Sequence, residues 1–215
     1  MLFRSPTEFE IGPGDRMTEA TPFVGPLRLT ARLDGDGDMI LREGRTPTAK
    51  EPETPEERRA AAEALYYQSL ELLMAQKPPQ DALALLNQAL AYDDEYGNAY
   101  VLKAYVLLDL VPNLDGALAA ASQGVAYAPG NPDSHFTFGL VLQRQQRYAE
   151  AEQAYLYALK VNPSYTDVYL VLGDLYAQHL NNPKKSVEAY ERYLQLGGTA
   201  SHPREYIDQA QRGQP

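Results

Sequence analysis

The stretch PDSHFTFGLVLQRQQRYAEAEQAYLYALKVNP, residues 132–163, decides the fold. It holds two amphipathic runs of helical period on either side of the polar segment Gln143–Arg147. Gly139 lies in the first run and Ala151 and Ala158 in the second, with the bulky Phe138, Leu142 and Tyr155 among them. Small residues let two helices approach closely, and large ones fill the space around the crossing. The stretch therefore reads as an antiparallel helix pair ending before Pro163, which a helix cannot continue through. One such pair leaves an apolar face in water, so it has to stack on copies of itself.

Those copies are present. The pattern begins at Glu63, Gly97, Pro132 and Thr166, at spacings of 34, 35 and 34 residues. The repeat from Gly97 carries Tyr100, Ala104, Leu107, Ala117, Ala121, Gly124 and Pro129, with one extra residue in the turn LVPNLD. The repeat from Thr166 carries Tyr169, Leu172, Gly173 and Tyr176, then an extra residue in HLNNPKK, then Ser186, Tyr190 and Tyr193. Tyr193 stands where a small residue is expected, which predicts looser packing there. The repeat from Glu63 carries Tyr66, Leu70, Leu73, Ala82, Leu86 and Ala89, with Asp94 in place of the closing proline. A period of this size specifies a stacked helical solenoid.

Residues 1–53 differ in composition, being rich in Gly, Pro, Thr and Asp. LRLTARL, from Leu27 to Leu33, alternates with period two, and DGDG followed by DMILR makes a β-hairpin the natural reading. An isolated hairpin is weak in water, so this one is expected to lie against the solenoid or a partner. The linker TPTAKEPETP ends at a sharp helix start, with Thr54 as N-cap, Pro55 at the first helical position and Glu57 completing a capping box. That helix should run to about Gln76, where KPPQ stops it. At the other end Gly197-Gly198 closes a helix, and HPREYIDQAQ offers a short amphipathic cover for the last repeat. The expected divisions are thus 1–53, 54–200 and 201–215.

The chain of 215 residues is 44% hydrophobic and carries a net charge of -10, from 29 acidic and 19 basic residues. That balance opposes phosphate-backbone binding, so no nucleic-acid partner is expected. With no cysteine, disulfides and thiolate chemistry are excluded, and no apolar run approaches the length of a membrane span. MLFRSPTEFEIGPGD lacks the apolar core of a signal peptide, which gives a cytoplasmic expectation, or a periplasmic one for a processed or truncated chain. His135, His179 and His202 fall in separate elements without metal spacing, and His135 sits at a repeat position that predicts a buried, satisfied ring. DGDGD, residues 34–38, resembles the start of a calcium loop, but Met39 and Arg45 replace its required Gly and Glu; a tight acidic turn is the reading. No metal, cofactor or catalytic constellation is expected, and the chain is not read as an enzyme.

On Phe138, Gly139, Leu142, Tyr148, Ala151, Tyr155, Ala158 and Pro163 the chain resembles the tetratricopeptide repeat family. The resemblance implies an all-α, right-handed superhelical solenoid of antiparallel helix pairs, here with a short N-terminal hairpin or extended segment. It also implies that the first helix of each pair lines a concave groove. Transferred by position, that lining comprises Tyr67, Gln68, Glu71 and Met74, then Asn98, Val101, Leu102, Tyr105 and Leu108, then Asp133, Phe136, Thr137, Leu140, Gln143 and Arg144, then Asp167, Leu170, Val171, Asp174 and Gln178. Of these, Tyr67, Glu71, Val101, Leu102, Tyr105, Leu108, Phe136, Leu140, Arg144, Leu170, Val171 and Asp174 are the expected partner contacts. Relatives that grip C-terminal carboxylates use Lys, Arg and Asn there; Glu71, Val101, Leu102 and Phe136 depart from that pattern and disfavour that subclass. The functional expectation is a protein-interaction adaptor or assembly factor that takes an apolar helix or peptide in the groove. The alternative is a self-assembly module in which the N-terminal segment of one copy enters a neighbour's groove, as a dimer or filament.

Overall fold

The computed structural model describes residues 10–13, 27–33, 39–45, 52 and 54–213. The chain separates into two compact units, Met1–Glu53 and Thr54–Pro215. In the first, β2 (Leu27–Leu33) and β3 (Met39–Arg45) form an antiparallel hairpin with Leu27 opposite Arg45 and Leu33 opposite Met39. A further strand, β1 (Glu10–Pro13), pairs with β2 in parallel, which alternation alone did not reveal. The acidic turn DGDGD lies outside the described residues.

The second unit runs α1 (Pro55–Met74), α2 (Pro79–Tyr92), α3 (Gly97–Tyr105), α4 (Leu114–Tyr127), α5 (Pro132–Arg144), α6 (Tyr148–Val161), α7 (Thr166–Gln178), α8 (Pro183–Gln195) and α9 (His202–Gln211). Helices pair in sequence, α1 on α2 through α7 on α8, and α9 packs on α8. Thr54 and Glu57 make the reciprocal capping box at 3.1 and 3.0 Å. Proline begins α2, α5 and α8 near the first helical position, where no intrahelical N–H is needed.

Within the last two pairs, the crossing is set by a large residue seated on a small one. A methyl carbon added at Gly139 would fall 2.6 Å from Cδ1 of the buried Tyr155, and one at Gly173 would fall 2.9 Å from Cζ of Tyr190. Tyr155 is fully buried, with its hydroxyl donating to Gln143 Oε1 at 2.7 Å. Ala104 and Ala121 hold the corresponding places in the second pair, and Ser69 and Leu86 in the first. At Tyr193 the expected looseness is absent. The ring is 6% exposed. Gly198 lies flat against it, and its oxygen accepts the Thr199 and Ala200 N–H groups at 3.1 and 3.0 Å. The following glycine thus makes room for what the repeat position does not.

The first helices end in two alternating ways. In α1 and α5 a glutamine takes the left-handed turn (Gln76 φ 53°, Gln146 φ 62°), and the N–H groups of Lys77 and Arg147 reach back to Leu72 and Leu142 at 2.9 Å. In α3 and α7 the closure is one residue wider. Asn113 N–H bonds Leu107 O at 2.8 Å, and Asn182 N–H bonds Tyr176 O at 2.9 Å. The extra residue after α3 does not wait for the loop: Val106–Leu110 is a π-helical turn.

The matching closures at Leu72 and Leu142 also correct the register of α1. Tyr66 meets Tyr96 at 5.5 Å between ring centres, as Phe136 meets Tyr165 at 5.2 Å. Tyr66, not Tyr67, is therefore the counterpart of Phe136, and Ser69, not Leu70, that of Gly139. The additional residue sits in the Lys77-Pro78-Pro79 connection, whose two prolines hid it.

Two outcomes follow from this packing. Gly139→Ala should lower the unfolding free energy measured by chemical denaturation by about 1–3 kcal/mol through overpacking, and Tyr155→Leu in the same chain should return part of it; an unchanged midpoint in the single variant contradicts the seat. The second concerns alkali. Burial, before any other cause, raises the phenol pKa of Tyr66, Tyr96, Tyr100, Tyr155, Tyr165, Tyr176 and Tyr190, that of Tyr96 to about 12. A group whose folded pKa exceeds its unfolded one stabilises fully below the unfolded value, about 10 for tyrosine, and ceases to as pH climbs through the folded value. Phenolate absorbance should therefore rise in two phases, the later one coincident with loss of helicity. A single early phase in a chain that stays helical contradicts it.

Candidate functional site

A cavity of about 300 Å³ opens where α1, α3 and α5 lie side by side. Each helix contributes the residues of one face. Val101, Leu102 and Tyr105 come from α3, Phe136, Thr137 and Leu140 from α5, and Tyr66 from α1; Tyr165, in the turn before α7, closes the far side. The wall is largely apolar, with polar groups at one end. There Asn131 Nδ2 donates to Asn98 Oδ1 at 2.9 Å, and the Tyr165 hydroxyl donates to Asp133 Oδ1 at 2.5 Å. Burial first, then this bond and the charges of Asp133 and Asp167, pushes the Tyr165 phenol well above its ordinary pKa. The hydroxyl remains a donor at neutral pH, and Asp133 is the lone charged residue in the lining.

The residues assigned to the groove by position fall into distinct places. Val101, Leu102, Tyr105, Phe136 and Leu140 share the cavity. Tyr67 is 55% exposed beside it, edge-on to Tyr66, and Glu71 is exposed farther along α1. Leu108 is 5% exposed and belongs to the core with Ala104, Ala117 and Ala121, so it is not a surface residue. The π turn explains this: one inserted residue turns everything after it by about 100° around the helix. Arg144 is exposed and pairs with Asp109 at 2.9 Å. Leu170 and Val171 are half-buried, Val171 against the core of the last two pairs.

Asp174 is engaged within the fold. It accepts the Tyr190 hydroxyl at 2.7 Å and lies 3.0 Å from His202 Nε2 at the start of α9. The last repeat's stretch of groove is thus met by the terminal helix, whose Pro203 and Ile207 are buried. Asn98, Asp133 and Thr137, also groove positions, line the cavity, whereas Tyr66, Asn131 and Tyr165 were not among the assigned residues. Asn131 and Tyr165 stand in the turns before α5 and α7, one step outside the helical positions from which the groove is read.

The histidines outside the cavity are engaged by neighbouring groups. His135 is half-buried rather than core; its Nε2 lies 3.0 Å from Pro129 O, and its ring stacks on Tyr157. His179 stacks on Tyr148 with centres 4.1 Å apart. Among the described residues no cluster of His, Asp and Glu could hold a metal ion, and no helix is long and apolar enough to cross a membrane.

A family model described as tetratricopeptide repeat matches residues 136–201. No curated protein sequence matches the chain. Among solved structures, PilF of Pseudomonas aeruginosa superposes with a TM-score of 0.63 at 24% identity, over 73% of this chain and 70% of that one. MamA gives a TM-score of 0.61 at 15% identity, over 72% and 84%. YrrB, described as a TPR protein with an unusual peptide-binding site, gives 0.56 at 20%, over 73% and 77%. The family match covers α5 to α8, and α1 to α4 repeat the same arrangement of paired helices, so the chain has the fold of tetratricopeptide repeat proteins.

Proposed function

We propose that the chain is a non-catalytic adaptor or assembly factor, and that the cavity between α1, α3 and α5 takes an apolar segment of another protein, helical or extended. The observation that carries this is the convergence of Val101, Leu102, Tyr105, Phe136 and Leu140, from the first helices of two successive pairs, on one hollow, with paired amides and an acid at its edge. Apolar walls with a few placed polar groups suit a ligand whose side chains enter and whose backbone is oriented at the rim. The lining has no Lys or Arg, so it offers no cation to a terminal carboxylate, and Asp133 favours a segment with a basic residue at that end. A solved relative in fold, YrrB, is described as having a peptide-binding site, which supports the general reading.

Tyr105 is the anchor best suited to a test. It is 43% exposed. Phe136 packs against Tyr155 and Tyr165 and adjoins the core, so its truncation would cost stability as well as binding. Peptides selected from a displayed library on the full chain should lose about 2 kcal/mol, roughly 30-fold in Kd, against Tyr105→Ser with helicity unchanged. Peptides that bind the folded variant undiminished overturn the reading. Selected sequences resembling residues 27–33 would instead identify the occupant as the chain's own N-terminal strip.

A further inference from the structure

The solenoid carries a second series of hollows on the other side of its first helices. One, of about 400 Å³, lies among α4, α5 and α6, and His135, Phe138, Leu142 and Ala154 line it. The corresponding hollow one repeat earlier lies among α2, α3 and α4 and measures about 540 Å³. There the same four places are held by Tyr100, Lys103, Leu107 and Ala120. Along α3, residues 100 and 103 fall on the face opposite 101, 102 and 105, at about 100° per residue, and Leu107 in the π turn joins them in the hollow. The two hollows share no residue with the concave cavity.

Lys103 is out of character for its position. Phe138 and Leu172 hold it in the next two repeats, where they pack in or against the core. Every other lysine and arginine in residues 54–213 is exposed, whereas Lys103 is half-buried. It has neither an ion pair nor a hydrogen bond among the described residues. No acid lines its hollow, although the chain as a whole carries a charge of -10. Desolvation, with no opposing carboxylate, lowers its pKa. A half-desolvated ammonium gains much from an anion brought to it, and Leu83, Leu107 and Ala120 offer an apolar wall for the stem that carries the anion.

We propose that this hollow is a second binding site, in which the Lys103 ammonium receives an aspartate or glutamate side chain from a partner protein's segment lying along α2 and α4. The two faces then select opposite ligands: a basic or apolar segment on the concave side, an acidic one on the other.

The test uses the full chain with labelled lysine side chains and labelled amides, titrated with glutarate as a stand-in for a glutamate side chain. Lys103 and the Gly116 amide, which also lines the hollow, should shift saturably at millimolar concentration. The Lys103 pKa should climb back toward its ordinary value, while exposed Lys77 and Lys184 drift without saturation. Lys103→Arg should keep the Gly116 response, and Lys103→Gln and Lys103→Met should lose it while staying helical. A Lys103 that responds no more than Lys77 overturns the proposal, as does a Gly116 response that survives in folded Lys103→Gln. Tighter saturation by inorganic phosphate than by glutarate overturns the assignment to a carboxylate.

Discussion

The seat of a tyrosine ring on a glycine backbone fixes the rest of this molecule. Tyr155 on Gly139 and Tyr190 on Gly173 leave no room for a methyl group, so ring thickness sets the distance from α5 to α6 and from α7 to α8. Consecutive residues on the first helix then face three different places. Phe138 lines the outer hollow, Gly139 meets the paired helix, and Leu140 lines the concave cavity. In α3 the same triplet is Lys103, Ala104 and Tyr105, with Ala104 fully buried. Because the middle residue is locked, its neighbours are aimed. A shift at the crossing would move both binding faces together.

Polar satisfaction travels with this packing. Among the described residues no buried side-chain nitrogen or oxygen lacks a partner. The tyrosine hydroxyls account for much of that, since Tyr155, Tyr165, Tyr176 and Tyr190 each donate to an amide or carboxylate oxygen. Glu152 shows the balance involved. Burial would raise its pKa, but hydrogen bonds from Lys185 and Tyr176 and the Lys185 charge outweigh burial and hold it below the usual carboxylate value. A ring that supplies both bulk and a donor stitches adjacent pairs without a separate polar network.

Most of the helical unit could be read from the chain because each repeat states its small and large positions in order. Thr54, Pro55 and Glu57 fixed the start of α1 through local hydrogen bonding alone, which needs no tertiary context. What escaped depends on single-residue slips. Two adjacent aromatics, Tyr66 and Tyr67, made α1 ambiguous by one position, and the proline pair after it concealed the compensating residue. Leu108 was lost to the π turn, because periodic reasoning assumes an uninterrupted 3.6. Asp174 was read as free because its partner, His202, comes from a terminal helix outside the repeat pattern. Lys103 was visible as a charge at an apolar position, a signal that a search for matches passes over.

The alternating closures of the first helices carry one more consequence. Gly97 to Thr166, Pro79 to Tyr148 and Leu114 to Pro183 are each displaced by 69 residues, and each closure style recurs at every second pair, the narrow one after 70 residues and the wide one after 69. The grammatical unit of this solenoid is therefore a couplet, a narrow-ended pair followed by a wide-ended one. Growth or loss by whole couplets preserves the rhyme of every junction. Growth by a single pair would set like beside like and leave one residue out of phase with its neighbour.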